Sequence, residues 1–150
     1  MYDRIRYGLG FTYFDGLLRV ESEYMWGKGM IFSGAKDIEP TASNDLWQFE
    51  IEADDNNKAD GYYIAAMYNV TPKIEAIVRY DEYNRMTNVD LKERIFKNTT
   101  VGFSYKIEGP NRIDFNYTFA KAYAPHNNAA QAILDNSGDI ARVQLTWVYK

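Results

Sequence analysis

The sequence predicts an all-β fold, an antiparallel up-and-down transmembrane β-barrel of which seven strands are present, and three observations predict it. Apolar and polar residues alternate with period two in seven segments, the pattern of strands with one apolar and one polar face. Short and long connections alternate strictly between those segments. The third sign is aromatic: thirteen Tyr, eight Phe and three Trp make 16% of the chain, and they gather near the two ends of the strands.

Taken in order, residues 4–14 set Ile5, Tyr7, Leu9, Phe11 and Tyr13 against Arg4, Arg6, Gly8, Gly10 and Thr12. Asp15-Gly16 then reads as a type I′ hairpin turn, which needs positive φ at both central residues. That turn places Phe14 against Leu17, Tyr13 opposite Leu18, Phe11 opposite Val20, Tyr7 opposite Tyr24 and Ile5 opposite Trp26. On the polar face it sets Thr12 opposite Arg19, Gly10 opposite Glu21 and Gly8 opposite Glu23. Residues 27–58 read as a large loop carrying one short strand, Trp47, Phe49, Ile51 and Ala53. Tyr62, Ile64, Ala66, Tyr68 and Val70 form the next apolar face, Thr71-Pro72-Lys73 turns the chain, and Ile74, Ala76, Val78 and Tyr80 return. After a loop at 82–95 comes the clearest hairpin. Thr99, Val101, Phe103, Tyr105 and Ile107 lead to a turn at Glu108–Asn111, and Ile113, Phe115, Tyr117 and Phe119 lead out. A third loop at 121–138 precedes the last strand, 139–149, with Ala141, Val143, Leu145, Trp147 and Tyr149 on one face.

Alternating short and long connections are expected when all short turns lie on one side of a membrane and all long loops on the other. Two aromatic girdles fit the same picture: Tyr13, Tyr68, Tyr105, Trp147 and Tyr149 toward the short turns, and Tyr7, Tyr24, Trp26, Tyr80 and Phe119 toward the long loops. The lipid-facing set is expected to include Tyr7, Phe11, Tyr24, Trp26, Tyr80, Phe103, Tyr105, Phe115, Tyr117 and Trp147. No apolar run approaches the about 18 residues of a membrane helix, so a membrane role goes through strands. The absence of cysteine removes disulfides and thiolate metal sites, and a net charge of -4 speaks against a nucleic-acid partner. Met1-Tyr2-Asp3-Arg4 opens on polar residues rather than on a leader pattern, leaving a mature, truncated or cytosolic chain as expectations.

With the apolar face outward, the residues expected to line the pore are Arg4, Arg6, Arg19, Arg79, Lys106, Arg112 and Arg142, with Glu21, Glu23, Glu75, Asp81 and Asp114. Bases exceed acids, so the face either carries a field that favours anions or resolves into cross-strand charge pairs that keep the lumen wet. Arg112 and Asp114, two apart on one face, are expected to pair. Catalysis is not expected: the single histidine, His126, lies in a loop without a nucleophile beside it. The acidic run Glu50–Asn57 lacks the spacing of a calcium loop, so neither metal nor cofactor is expected.

The run Gly61-Tyr-Tyr-Ile-Ala-Ala-Met-Tyr68, then Thr71-Pro72-Lys73 and Val78-Arg79-Tyr80-Asp81, resembles the C-terminal part of the phosphate-selective porin O/P family of Gram-negative outer membranes. Thr99-Thr100-Val101-Gly102-Phe103, Asn116-Tyr117 and Val143-Gln144-Leu145 continue the resemblance in the same order. It implies an outer-membrane barrel of about sixteen strands, usually a homotrimer, that passes small hydrophilic solutes or anions such as phosphate. This chain is far shorter than such a barrel and closes on Tyr149-Lys150 where a terminal aromatic is usual. Parity agrees with the shortness: seven up-and-down strands do not close as bacterial barrels do, so either residues 46–53 supply an eighth strand or further strands before Met1 are expected. Two other readings use the same alternation. One is a soluble lipocalin-like barrel with its apolar face inward around a small apolar ligand; the other is a small closed membrane barrel acting as an anchor.

Overall fold

The computed structural model describes residues 4–29 and 57–148. Within them the chain forms β1 (Ile5–Phe14), β2 (Leu18–Lys28), β3 (Lys58–Thr71), β4 (Ile74–Arg85), β5 (Arg94–Lys106), β6 (Arg112–Tyr123) and β7 (Ile140–Thr146). The order in the sheet is the order in the chain, and every pair is antiparallel. The result is a seven-stranded up-and-down meander whose edges, β1 and β7, are not paired with each other among the described residues. The expected strand around Trp47 lies outside those residues.

The first hairpin has a different register from the expected one. Tyr13 lies opposite Val20, Phe11 opposite Ser22, Tyr7 opposite Trp26 and Ile5 opposite Lys28. On the other face Thr12 meets Glu21, Gly10 meets Glu23 and Gly8 meets Met25. Asp15 is the cause, because it ends the ladder instead of entering the turn. Its N–H donates to the Leu18 carbonyl at 3.2 Å, and its Oδ1 accepts from the N–H groups of Leu17 at 3.0 Å and Leu18 at 2.7 Å. The central pair is therefore Gly16-Leu17, with φ of 97° at Gly16 and no positive φ at Leu17. A glycine first and a leucine second suits type II′, not type I′. Since the displacement is two residues, every side chain keeps its face.

The strands also run farther toward the long connections than apolar alternation suggests. Polar pairs extend the ladder there: Asp60 lies opposite Asn84, with Asn84 Nδ2 donating to Asp60 at 3.1 Å, and Glu82 lies opposite Lys97, 3.2 Å apart. Thus β4 takes 82–85 and β5 takes 94–95 from the expected loop, leaving a connection with a 3-10 turn at Asp90–Lys92. Likewise β6 continues to Tyr123, and the next connection contains α1 (Asn128–Leu134). Asn127 caps that helix, its Oδ1 accepting the Ala130 N–H at 3.0 Å, as short polar side chains do at N-caps. β7 stops earlier than expected because its partner runs out at Arg112, opposite Thr146. Beyond it, the Val148 N–H donates to Asn111 Oδ1 at 2.8 Å.

Exposure alternates in the opposite sense to that of a soluble sheet. Along β6, Phe115, Tyr117, Phe119 and Tyr123 are exposed while Asp114 is buried and Asn116, Thr118, Ala120 and Ala122 are half-buried. β3 repeats this with Tyr62, Ile64, Ala66 and Tyr68 exposed and Ala65 and Met67 buried. In a single-layer sheet, burial comes from neighbours on the same face, and on β3 and β6 the polar face is the one whose side chains shield one another. Gly102 sits there opposite Asn116, and a Cβ added to it would lie 2.3 Å from the Phe115 carbonyl oxygen. Glycine at such a point lets a sheet bend.

Two outcomes follow from these contacts. Gly102→Ala is expected to destabilise the sheet by ~1–3 kcal/mol through overpacking, measured by denaturant unfolding; an unchanged midpoint would show that the backbones there are free to part. The two N–H groups of Leu18 and Leu17 hold the Asp15 carboxyl below its ordinary value of 3.8. Protection of the Leu17 and Leu18 amides from hydrogen exchange is therefore present above about pH 3.8 and lost as pH falls through the lower folded value. Asp15→Ala should remove that dependence.

Candidate functional site

The ladder registers sort the expected residues onto two faces. Tyr7, Phe11, Tyr24, Trp26, Tyr80, Phe103, Tyr105, Phe115 and Tyr117 all project from one face, and Trp147 lies exposed just past the end of β7. Arg6, Arg19, Glu21, Glu23, Glu75, Arg79, Asp81, Lys106, Arg112, Asp114 and Arg142 project from the other. Arg4 immediately precedes β1. Ring pairs line the apolar face, with centroids 5.8 Å apart for Tyr7 and Trp26 and 4.8 Å for Phe103 and Phe115. Such cross-strand aromatic contacts contribute ~0.2–1 kcal/mol each. The large side chains around them stay open, as at Leu9 with 78% and Val143 with 68% exposure.

On the apolar face the strands after β1 meet their first charge at one end only, toward the long connections. These residues are Lys28, Asp60, Glu82, Lys97 and Lys121 on β2 to β6, and Asp139 just before β7. Together they form a collar, and the collar crosses the strands obliquely. Lys28 lies opposite Lys58, so Asp60 is two residues farther along; Asp60 lies opposite Asn84, so Glu82 is two farther again. Glu82, Lys97 and Lys121 are level. Asp139, one residue before the Ile140 that pairs with Thr118, falls two farther still. Three displacements of two residues over five strand-to-strand steps, at ~3.3 Å per residue and ~4.8 Å between strands, tilt the strands by roughly 40° from the normal to the collar. Between collar and short turns the apolar runs span seven to nine residues, such as 74–80 and 62–70, or roughly 20 Å measured along that normal.

The polar face carries a network whose ion pairs run mainly along the strands. Arg19 Nε lies 3.6 Å from Glu21, Arg79 Nε 3.2 Å from Asp81 and Arg112 Nε 3.1 Å from Asp114. Residues two apart share a face on one strand, and the expected Arg112–Asp114 pair is of this kind. Two contacts span a whole strand. Arg19 Nη2 passes over Met67 Sδ at 3.0 Å and comes within 3.8 Å of Glu75 on β4, and Lys106 Nζ on β5 donates to Asn69 Oδ1 on β3 at 3.3 Å. Neutral residues brace the acids: Ser104 donates to Asp114, and Asn98 Nδ2 donates to Asp81 at 2.8 Å. Arg79 also stacks 4.4 Å from the Tyr63 ring centroid. Arg142 has no side-chain partner among the described residues.

Sequence reading missed Tyr63, Met67, Asn69, Asn98 and Ser104, which look ordinary until the register sets them beside charges. It also missed the collar, although the first charge to interrupt each apolar run was the signal. Outside the sheet, His126 Nε2 lies 3.4 Å from Glu93, joining two connections on the long-connection side. The acidic run before Asn57 lies outside the described residues. No family model, curated protein or solved structure matches the chain.

The network ranks its acids. Asp114 is 8% exposed and Ser104 is buried; Asp114 holds both Ser104 and Arg112, so Asp114→Ala strands the buried Ser104 hydroxyl and is expected to cost ~1–3 kcal/mol. Asp81, whose side chain is 25% exposed beside an Arg79 that is 46% exposed, should cost less on the same substitution. Denaturant unfolding of both variants checks the order, and equal or reversed losses would contradict it.

Proposed function

We propose that this sheet is part of a transmembrane β-barrel of the bacterial outer membrane, a porin through which small hydrophilic solutes, anions above all, diffuse along a water-filled lumen. The observation that carries the reading is the oblique collar. A soluble sheet has no reason to end its exposed apolar face on one tilted line, whereas strands crossing a bilayer lean by about 35–45° and carry an apolar band about 25 Å tall. The roughly 40° tilt and roughly 20 Å band derived from the register agree with both. Exposure points the same way: on β3 and β6 the polar side chains shield one another while the aromatic and aliphatic ones of the other face stay open. A lipocalin-like barrel needs the reverse.

Free edges extend the proposal. Each unsatisfied backbone group in lipid costs several kcal/mol, so β1 and β7 are to be continued by further strands of the closed wall. The chain's own helices do not offer another route, since none among the described residues is long and apolar enough to cross a membrane.

Selectivity is assigned by the pairing. Arg19, Arg79 and Arg112 each face an acid, whereas Arg142 faces none among the described residues and Lys106 binds a neutral amide. Of these five cations, Arg142 and Lys106 are therefore the ones whose charge no acid offsets, and they contribute to the positive field. Added to a planar bilayer from detergent, the protein should give discrete conductance steps, and Arg142→Gln should lower the anion preference in low salt more than Arg79→Gln does. Near 1 M salt, where screening acts within about 3 Å, the difference should vanish. A chain that stays soluble without detergent and yields no conductance contradicts the porin reading; equal shifts for the two variants contradict the assignment of charge.

A further inference from the structure

We propose that the collar, together with the Lys58 that stands opposite Lys28 just beyond it, binds the phosphate of anionic lipid headgroups through Lys28, Lys58 and Lys121. The inference rests on the membrane reading above and adds a ligand site on the outer surface of the wall.

The collar leaves cations over. Its carboxylates are satisfied within the protein: Asp60 accepts from Asn84 Nδ2 at 3.1 Å, and Asp139 accepts from Tyr117 Oη at 2.9 Å and the Ala120 N–H at 3.1 Å. Glu82 accepts from Tyr80 Oη at 2.9 Å and lies 3.2 Å from Lys97 Nζ. That contact engages Lys97. The side chains of Lys28, Lys58 and Lys121 have no partner among the described residues, so the collar presents cations without matching anions.

Register sharpens the point. Lys28 stands directly opposite Lys58, and Lys121 directly opposite Lys97. Like charges facing each other across a ladder destabilise it, and an anion placed between them reverses the sign of that interaction. An ammonium with three donors is a common partner for phosphate oxygens. Depth selects the source of the phosphate. All four lysines stand on the apolar face, one step beyond Trp26, Thr99 and Phe119 or beyond the Asp60 that follows Tyr62. Aromatic rings such as Trp26 and Tyr62 mark headgroup level in a bilayer, so the anion that reaches these lysines is borne by a lipid.

The test uses the protein reconstituted in phosphatidylcholine bilayers, with spin-labelled phosphatidylglycerol and phosphatidylcholine as probes. Phosphatidylglycerol should associate preferentially, and K28Q/K58Q/K121Q should lower that preference by about fivefold for each lysine engaged. The charge-conserving K28R/K58R/K121R should retain it, which a merely structural role would not require. Insertion without preference, or a preference untouched by the glutamine variant, overturns this inference alone. Failure to insert into any bilayer overturns the membrane reading and this site with it. In detergent, stabilisation by inorganic phosphate equal to that by short-chain phosphatidylglycerol would assign the lysines to a free anion and overturn the lipid as ligand.

Discussion

Everything in this molecule depends on the parity of the ladder. Side chains in a strand alternate between faces, so a one-residue slip in any pair would exchange the apolar and polar sets of every strand beyond it. Seven strands hold the same parity from Ile5 to Thr146. The first hairpin shows how strongly this is enforced: its turn lies one residue farther along than Asp15-Gly16 suggests, and the register moves by two, never by one. The bulge between Asn69 and Thr71 also leaves the faces intact, because it falls where the chain is already leaving the ladder.

Parity makes two faces, and the choice of side chains decides which of them is shielded. Small residues and glycine on the polar face, Ala65, Gly102 and Ser104 among them, leave room for the charged side chains to overlap one another, as Arg19 does in arching over Met67 toward Glu75. The large apolar side chains of the other face stay open, as at Ile64, Phe103 and Tyr117. Polarity, exposure and the pairing of charges are thus consequences of one alternation.

The all-β class, the seven strands among the described residues and the sorting of side chains onto two faces were legible in the residues, because period two is a local signal that survives errors in register. Turn geometry was not. Asp15-Gly16 carries the usual type I′ signature, and only the competing hydrogen bonds from the Asp15 carboxylate move the turn to Gly16-Leu17. Strand ends were misread for a different reason. Glu82, Asn84, Lys97 and Lys121 look like loop residues singly, yet across the ladder they become matched polar partners that prolong the sheet. The ionic network was legible as a list of charges but not as pairs, since Arg19 and Glu75 meet across an intervening strand that no linear spacing reveals.

The central claim is that the apolar face meets lipid and the charged face meets water. Its most direct test is a nitroxide scan along residues 112–123 of the reconstituted protein, comparing oxygen, which concentrates in lipid, with a water-soluble nickel chelate. Positions 113, 115, 117 and 119 should favour oxygen and positions 112, 114, 116 and 118 the chelate, with the oxygen signal ending at the collar residue Lys121. Equal accessibility along the strand, or the opposite phase, would contradict the account.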